Sequence, residues 1–283
     1  MIQISSFDEL LLQRIDDLDD FTRKTLQVSS VLGLTFSLFE VTKVSEYVLS
    51  ISENEKNYHK ERIRSSLVIA MEEGILDESS AKLDQFHFQI ENYSFSTFPD
   101  STKQKERNIK TYENEDSNIT YRFCHDTWRQ KILGLLLGSY KRDIHIYAAN
   151  IIELYTSDIK NSDYRTKMKL FVHLKHSGNT LKAANLALDI GKNFKHLGLN
   201  EHSIHVYNEA LDMWRKGTVN NAQKSNSVAG ISINDIKSLH QSDLTSIIKL
   251  LTALGQAIGT MSKRESESAK VFEDALKVSE SCI

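Results

Sequence analysis

Ala187-Leu-Asp-Ile-Gly-Lys-Asn-Phe-Lys-His-Leu-Gly-Leu-Asn-Glu-His-Ser-Ile-His-Val-Tyr-Asn-Glu-Ala210 carries the pattern that decides the fold. At helical spacing, Ala187, Ile190, Gly191 and Phe194 share one face of a first helix. Ser203, Tyr207 and Ala210 share one face of a second. Small residues stand where two helices would touch, and aromatics stand where the groove beside the contact must be filled. The theme returns at Leu251, Leu254, Gly255 and Ile258, followed after a longer turn by Ala269, Phe272 and Ala275. Upstream, His173-Leu-Lys-His-Ser-Gly-Asn before Ala183-Ala184 reads as the end of a preceding hairpin. The 283 residues include one proline and eleven glycines, where an average chain of this length would have roughly 14 and about 20. So few breakers imply long helices and exclude an all-β or loop-rich fold.

Working outward, the rest of the chain from His125 reads as helical. The predicted helices are His125–Leu137, Tyr140–Tyr155, Tyr164–His176, Thr180–Leu197, Glu201–Trp214, Leu244–Met261 and Glu265–Ser279, with a polar loop over 216–242. Antiparallel pairs of this length with a small-residue contact and an aromatic filler have the pattern of tetratricopeptide-like hairpins. The N-terminal part differs. Phe7–Ile15, Asp19–Leu32, Ser37–Leu49 and Glu55–Glu73 read as helices, Asp19 as an N-cap and Gly74 as the positive-φ residue ending the last of them. The period then changes to two at Ile75-Leu-Asp, Phe86-His-Phe-Gln-Ile and Tyr121-Arg-Phe-Cys. Residues 94–118, polar and holding the lone Pro99, read as a disordered insertion at the tip of this hairpin. The fold expected is all-α with a small β-wing: a winged-helix domain over 1–136, then tetratricopeptide-like hairpins over 137–283.

A net charge of −3 gives no global pull toward nucleic acid or anionic membrane. Cys124 and Cys282 are too few and too far apart for a disulfide scaffold or a cysteine zinc site. No basic leader precedes an apolar core at the N-terminus and no apolar run approaches a membrane span, so a cytoplasmic protein is expected. The sequons at Asn92 and Asn118 are then chance matches. No phosphate-binding glycine loop with lysine occurs, and Ile75-Leu-Asp-Glu reads as a wing strand rather than a magnesium-holding segment.

The histidine pairs His173/His176 and His202/His205 have a spacing that can present two imidazoles together, but no carboxylate completes a ligand set. They read as packing or surface residues, with His202 toward solvent. His125-Asp126 lacks a nucleophile, and Asp126 serves as negative charge at a helix start. No catalytic, cofactor or metal residues are expected. In Glu55–Glu73, Lys56, His59, Lys60, Arg62 and Arg64 are interleaved with Glu53, Glu55 and Glu61, which reads as a solvated face. The alternative, a transcriptional regulator whose winged helix binds DNA, would use Lys60, Arg62 and Arg64 on phosphates.

Four stretches together resemble a known family. Arg14-Ile-Asp-Asp-Leu and Val28-Ser-Ser-Val-Leu-Gly-Leu-Thr-Phe are similar to the segment that follows the ATPase core of STAND/AAA-type signalling ATPases. Tyr121-Arg-Phe-Cys-His-Asp-Thr-Trp-Arg and Lys141-Arg-Asp-Ile-His-Ile-Tyr-Ala-Ala-Asn-Ile-Ile-Glu resemble later elements of the same proteins, soluble adenylyl cyclase-like proteins among them. The resemblance implies a winged-helix relay between a nucleotide-binding core and a superhelical sensor arm, with Arg14, His125 and Arg129 as relay or structural positions. It implies a non-catalytic regulatory and protein-interaction segment, whose parent supplies the ATPase core and the cyclase, kinase or DNA-binding effector. Protein partners would lie along the inner helices, where helix position nominates Asn185, Asp189, Lys192, Lys195 and His196.

Overall fold

Asp19 caps the helix it precedes: its carboxylate accepts from the amides of Phe21 (3.0 Å) and Thr22 (3.1 Å), two of the donors a helix start leaves unsatisfied. That helix belongs to a computed structural model describing residues 7–79, 88–90, 93–95, 119–156, 159, 162–215, 240–261 and 264–280. The expected insertion lies outside the described residues from 96 to 118, as do both sequon asparagines, Cys282 and positions 216–239 of the expected loop. Among the described residues the chain is mostly helical, with a small three-stranded antiparallel sheet and a separate two-stranded one. It divides into two compact units, Met1–Tyr155 and Thr156–Ile283.

In the first unit, α1 (Phe7–Asp16) and α2 (Asp20–Leu32) lead into strand β1 (Thr35–Ser37). Helices α3 (Leu38–Val48) and α4 (Lys56–Glu72) follow, then β2 (Leu76–Ser79). Ser37 and Glu40 form a capping box that starts α3 where β1 ends. Gly74 at φ 65 ends α4 in a left-handed conformation, so that Ile75 can donate back to the Ala70 carbonyl at 2.9 Å and enter the sheet. Strands β3 (Phe88–Ile90) and β4 (Tyr93–Phe95) pair with each other. β5 (Thr120–Phe123) runs antiparallel between β1 and β2, giving the order β1-β5-β2. Its inward residues, Tyr121 and Phe123, meet Phe36 of β1 at ring separations of 6.0 and 5.8 Å. Helix α5 (Asp126–Gly134) and then α6 (Gly138–Tyr155) complete the unit.

The sequence reading divides the chain at 136/137, whereas the structural division comes one helix later. The stripe Ile144, Ala148 and Ile151 of α6 belongs to the same buried cluster as Val28, Val41 and Val44, and α6 packs on α2 and α3. Tyr147 stacks on Tyr47 and Tyr155 meets Phe39 edge-on, which fastens α6 to α3 by aromatic contacts.

The second unit contains α7 (Tyr164–Ser177), α8 (Thr180–His196), α9 (Asn200–Arg215), α10 (Gln241–Gly259) and α11 (Glu265–Glu280). Each packs on the next, and α8 also packs on α10. The α8/α9 and α10/α11 hairpins repeat one contact. Tyr207 lies against Gly191, and Phe272 against Gly255. Beside each glycine a serine hydroxyl donates to its carbonyl: Ser203 to Gly191 at 2.9 Å and Ser268 to Gly255 at 2.8 Å. These bonds span 12 and 13 residues, so the second turn is one residue longer. Ser268, not Ala269, therefore takes the small-residue position of the second hairpin, and Ala269 is exposed.

Candidate functional site

Helices α1, α2, α4 and α5 bring Arg14 and Arg129, two of the positions nominated from sequence, into one region of the first unit. Arg14 on α1 donates to the Glu73 carbonyl at 2.7 Å, a cation on the carbonyl end of α4. Its guanidinium also lies 5.7 Å from the centre of the Trp128 ring on α5. Arg129, next to that tryptophan, donates to Asp126 at 2.7 Å and to the Ser30 carbonyl near the end of α2 at 3.4 Å. Gly33, three residues on, has φ 132 and opens the turn into β1. Asp126 stands in the first turn of α5, as expected of a helix-start charge. His125 is the N-cap residue of α5, exposed and making no side-chain capping bond.

On α4 the basic residues are not one free surface. The Arg62 guanidinium sits 3.9 Å over the Phe21 ring, and Arg64 pairs with Glu61 at 3.2 Å. His59, read with this basic cluster from sequence, is buried edge-on against Phe21. The exposed side of the helix also presents Tyr58, Val68 and Ile69.

Burial holds the His59 imidazole below the ordinary histidine range, Glu46 opposing and Arg62 reinforcing the shift. A lowered folded-state value means that the unfolded chain binds the proton more readily. The contribution of His59 to stability is then full above its unfolded value of about 6.5 and is lost as pH falls through the folded value. His59→Leu is expected to flatten the loss of stability below neutral pH, measured by urea unfolding across a pH series. An unchanged slope would assign that loss to other groups.

Of the five residues nominated on α8, Asn185, Lys192 and His196 are exposed and Lys195 is half-buried. Asp189 is engaged within the chain: it accepts from Lys167 of α7 at 2.7 Å. The Lys167 side chain is 5% exposed against 47% for Asp189. Removing the carboxylate leaves the buried ammonium without that counter-charge, whereas removing the lysine leaves a carboxylate that water can reach. Asp189→Ala is expected to cost about 2 kcal/mol, and Lys167→Met less than about 1 kcal/mol, by urea unfolding read through circular dichroism. Equal and negligible losses would return Asp189 to the set available for a partner. Lys175 of α7 pairs in the same manner with Glu209 of α9.

His173 and His202, one from each sequence pair, are packed inside the second unit. His173 is buried on α7. His202, expected toward solvent, instead lies 5.4 Å from the Phe194 ring centre, and burial lowers its pKa with His205 adding to the effect. Tyr164 also packs on Phe194, at 4.7 Å, and burial raises its phenol. Burial, with Asp77 beside it, pushes the Cys124 thiol up to about 11, away from nucleophilic use at neutral pH. Among the described residues no group of three His, Cys, Asp or Glu is disposed to hold a metal, and no helix is long and apolar enough to cross a membrane. The region around Arg14, Trp128 and Arg129 joins α1, α2, α4 and α5. Comparison with protein-family models, curated proteins and solved structures finds no match to the chain.

Proposed function

We propose that the chain is a non-catalytic regulatory and protein-interaction segment of a signalling ATPase or nucleotide cyclase. In this reading a winged-helix unit relays partner binding on tetratricopeptide-like hairpins to a nucleotide-binding core. The observation that carries it is the meeting of Arg14, Ser30, and the adjacent Trp128 and Arg129 at the ends of α2 and α4, residues from three separate stretches of the family resemblance. The order β1-β5-β2, with α3 and α4 placed between β1 and β2 in the chain, supports the winged-helix part. The repeated Gly191/Tyr207 and Gly255/Phe272 contacts support the hairpin part. A partner along the inner helices would bias the parent between two arrangements of wing and core. The setting proposed is cytoplasmic.

The test is a pull-down from native lysate with the whole chain as bait, read by mass spectrometry. Recovery of a nucleotide-binding ATPase or cyclase is the expected result. Salt-dependent duplex binding abolished by neutralising Lys60, Arg62 and Arg64 would replace the reading with the DNA-binding regulator. Nucleotide turnover by the purified chain would overturn its non-catalytic part.

A further inference from the structure

Charge is divided unevenly among the helices of the second unit. α7 and α8 carry seven lysines and arginines and a single carboxylate, Asp189, whereas α9, α10 and α11 carry nine carboxylates and four cations. The unit covers two of the α7 lysines itself. Lys167 is held by Asp189 and Lys175 by Glu209, and in each pair the lysine is the more buried partner. Of the other five cations, Lys182, Lys192 and Lys195 stand on α8. At helical spacing Lys182, Asn185, Asp189, Lys192 and His196 form one stripe along that helix. Lys182, Asn185, Lys192 and His196 are exposed, and the half-buried Lys195 lies at the stripe's edge. The one negative charge in the stripe is the carboxylate that Lys167 already engages.

We propose that the outward stripe of α8 from Lys182 to His196 is a docking surface for a short, acidic, extended segment of a partner protein. Charge complementarity selects the occupant, and the unit's own pairs show the contact: a carboxylate laid on a lysine amine. The Asn185 carboxamide between the lysines supplies a donor and an acceptor to a main chain lying along the helix. At a rise of about 1.5 Å per residue the stripe is about 20 Å long, the reach of about six extended residues. Three lysines over that length match a segment with an acid at every second residue. They fall well short of a duplex, which carries one charge per about 1.7 Å and continues past the stripe. This inference rests on the protein-interaction part of the proposed function, whose partner it describes by chemistry, and is independent of the relay to an ATPase.

The probe is a fluorescein-labelled, end-blocked octapeptide of alternating glutamate and serine, titrated with the full chain at low salt and read by anisotropy. Saturable binding with a Kd of about 10–300 µM is expected, weakening as salt is added. The double variant Lys182→Gln/Lys192→Gln, at two exposed positions, should weaken it about tenfold. Lys249→Gln makes the same charge change at an exposed position of α10 and should leave it unchanged. Asp189→Asn removes the stripe's negative charge and should tighten binding about two- to fivefold, a gain that misfolding does not produce. Absence of saturable binding, or equal weakening by Lys249→Gln, overturns the proposal. Tighter binding of an oligothymidylate of eight nucleotides, abolished by Lys182→Gln/Lys192→Gln, also overturns it, because the occupant is then a nucleic acid. A failed pull-down of an ATPase with intact peptide binding would count against the relay alone.

Discussion

Gly191→Ala is expected to destabilise the second unit by about 2 kcal/mol net, although alanine is the better helix former. In an open helix the exchange would gain about 1 kcal/mol. Here a Cβ on residue 191 would overlap the Tyr207 ring and come within 2.7 Å of its hydroxyl. Tyr207 is almost completely buried, so the ring has no room to retreat and the helices must separate. Overpacking of this kind costs about 1–3 kcal/mol and occasionally more, enough to reverse the propensity gain. Gly255→Ala tests the same contact with the constraint relaxed. Its Cβ would lie 2.9 Å from Phe272 Cζ, but that ring is partly exposed and can tilt outward. This second exchange should be neutral or stabilising by up to about 1 kcal/mol. The check is urea unfolding of both variants, with Gly191→Ala repeated on a Tyr207→Ala background. The double variant should recover most of the added loss, a coupling that directly contacting residues show and distant ones do not. A Gly191→Ala protein as stable as the parent, with no coupling to Tyr207, would remove the basis for matching the two hairpins.

These glycines also show what can be read from sequence and what cannot. The positions of the helices were legible because apolar stripes, cap residues and the scarcity of breakers act locally. Asp19, Gly74 and the spacing of Gly191, Phe194, Tyr207 and Ala210 each carry their reason within one turn or one hairpin. Choosing between Ser268 and Ala269 was beyond such reading. Two adjacent small residues satisfy the pattern equally, and the turn after α10 decides which one faces the glycine carbonyl. β1 was missed for a different cause. A three-residue strand has too little alternation to register, and its partner, β5, is remote in the chain. His59 and Arg62 were read as surface charge because their neighbours in sequence are charged. Their surroundings are set by Phe21 on α2, which packs on α4 only in the folded unit. Asp189 was nominated from helix position alone, and the Lys167 side chain that engages it comes from α7. The meeting of Arg14 with Trp128 has no local signal, since it depends on α1, α4 and α5 packing together.

Phe36→Ala should cost the first unit about 3–5 kcal/mol, the range for truncating a buried aromatic. Phe36 is 1% exposed and its ring touches two rings of β5, Tyr121 and Phe123. It ends the stretch Val28–Phe36, and Phe123 lies within Tyr121–Arg129, so these two stretches meet through this contact. Among the described residues β1 pairs with β5 alone. Backbone bonds from Leu38 to Ile119 and from Phe123 to Leu34, both 3.0 Å, continue the pairing at its two ends. Without the ring, a cavity opens between strands that are too short to hold register by themselves. Hydrogen exchange at the Leu38 and Phe123 amides should therefore accelerate more than exchange at the centre of α3 or α6, whose amides are bonded within their own helices. Phe36→Leu retains most of the volume and should lose only about 1–2 kcal/mol with smaller exchange changes. A loss below about 1 kcal/mol for Phe36→Ala would mean that β1 is held by its helical flanks rather than by the sheet. In the relay proposed for this unit, β1 would then be a passive connector. The larger loss, with exchange localised to β1 and β5, would make the Phe36 ring the contact that holds β1 to the sheet.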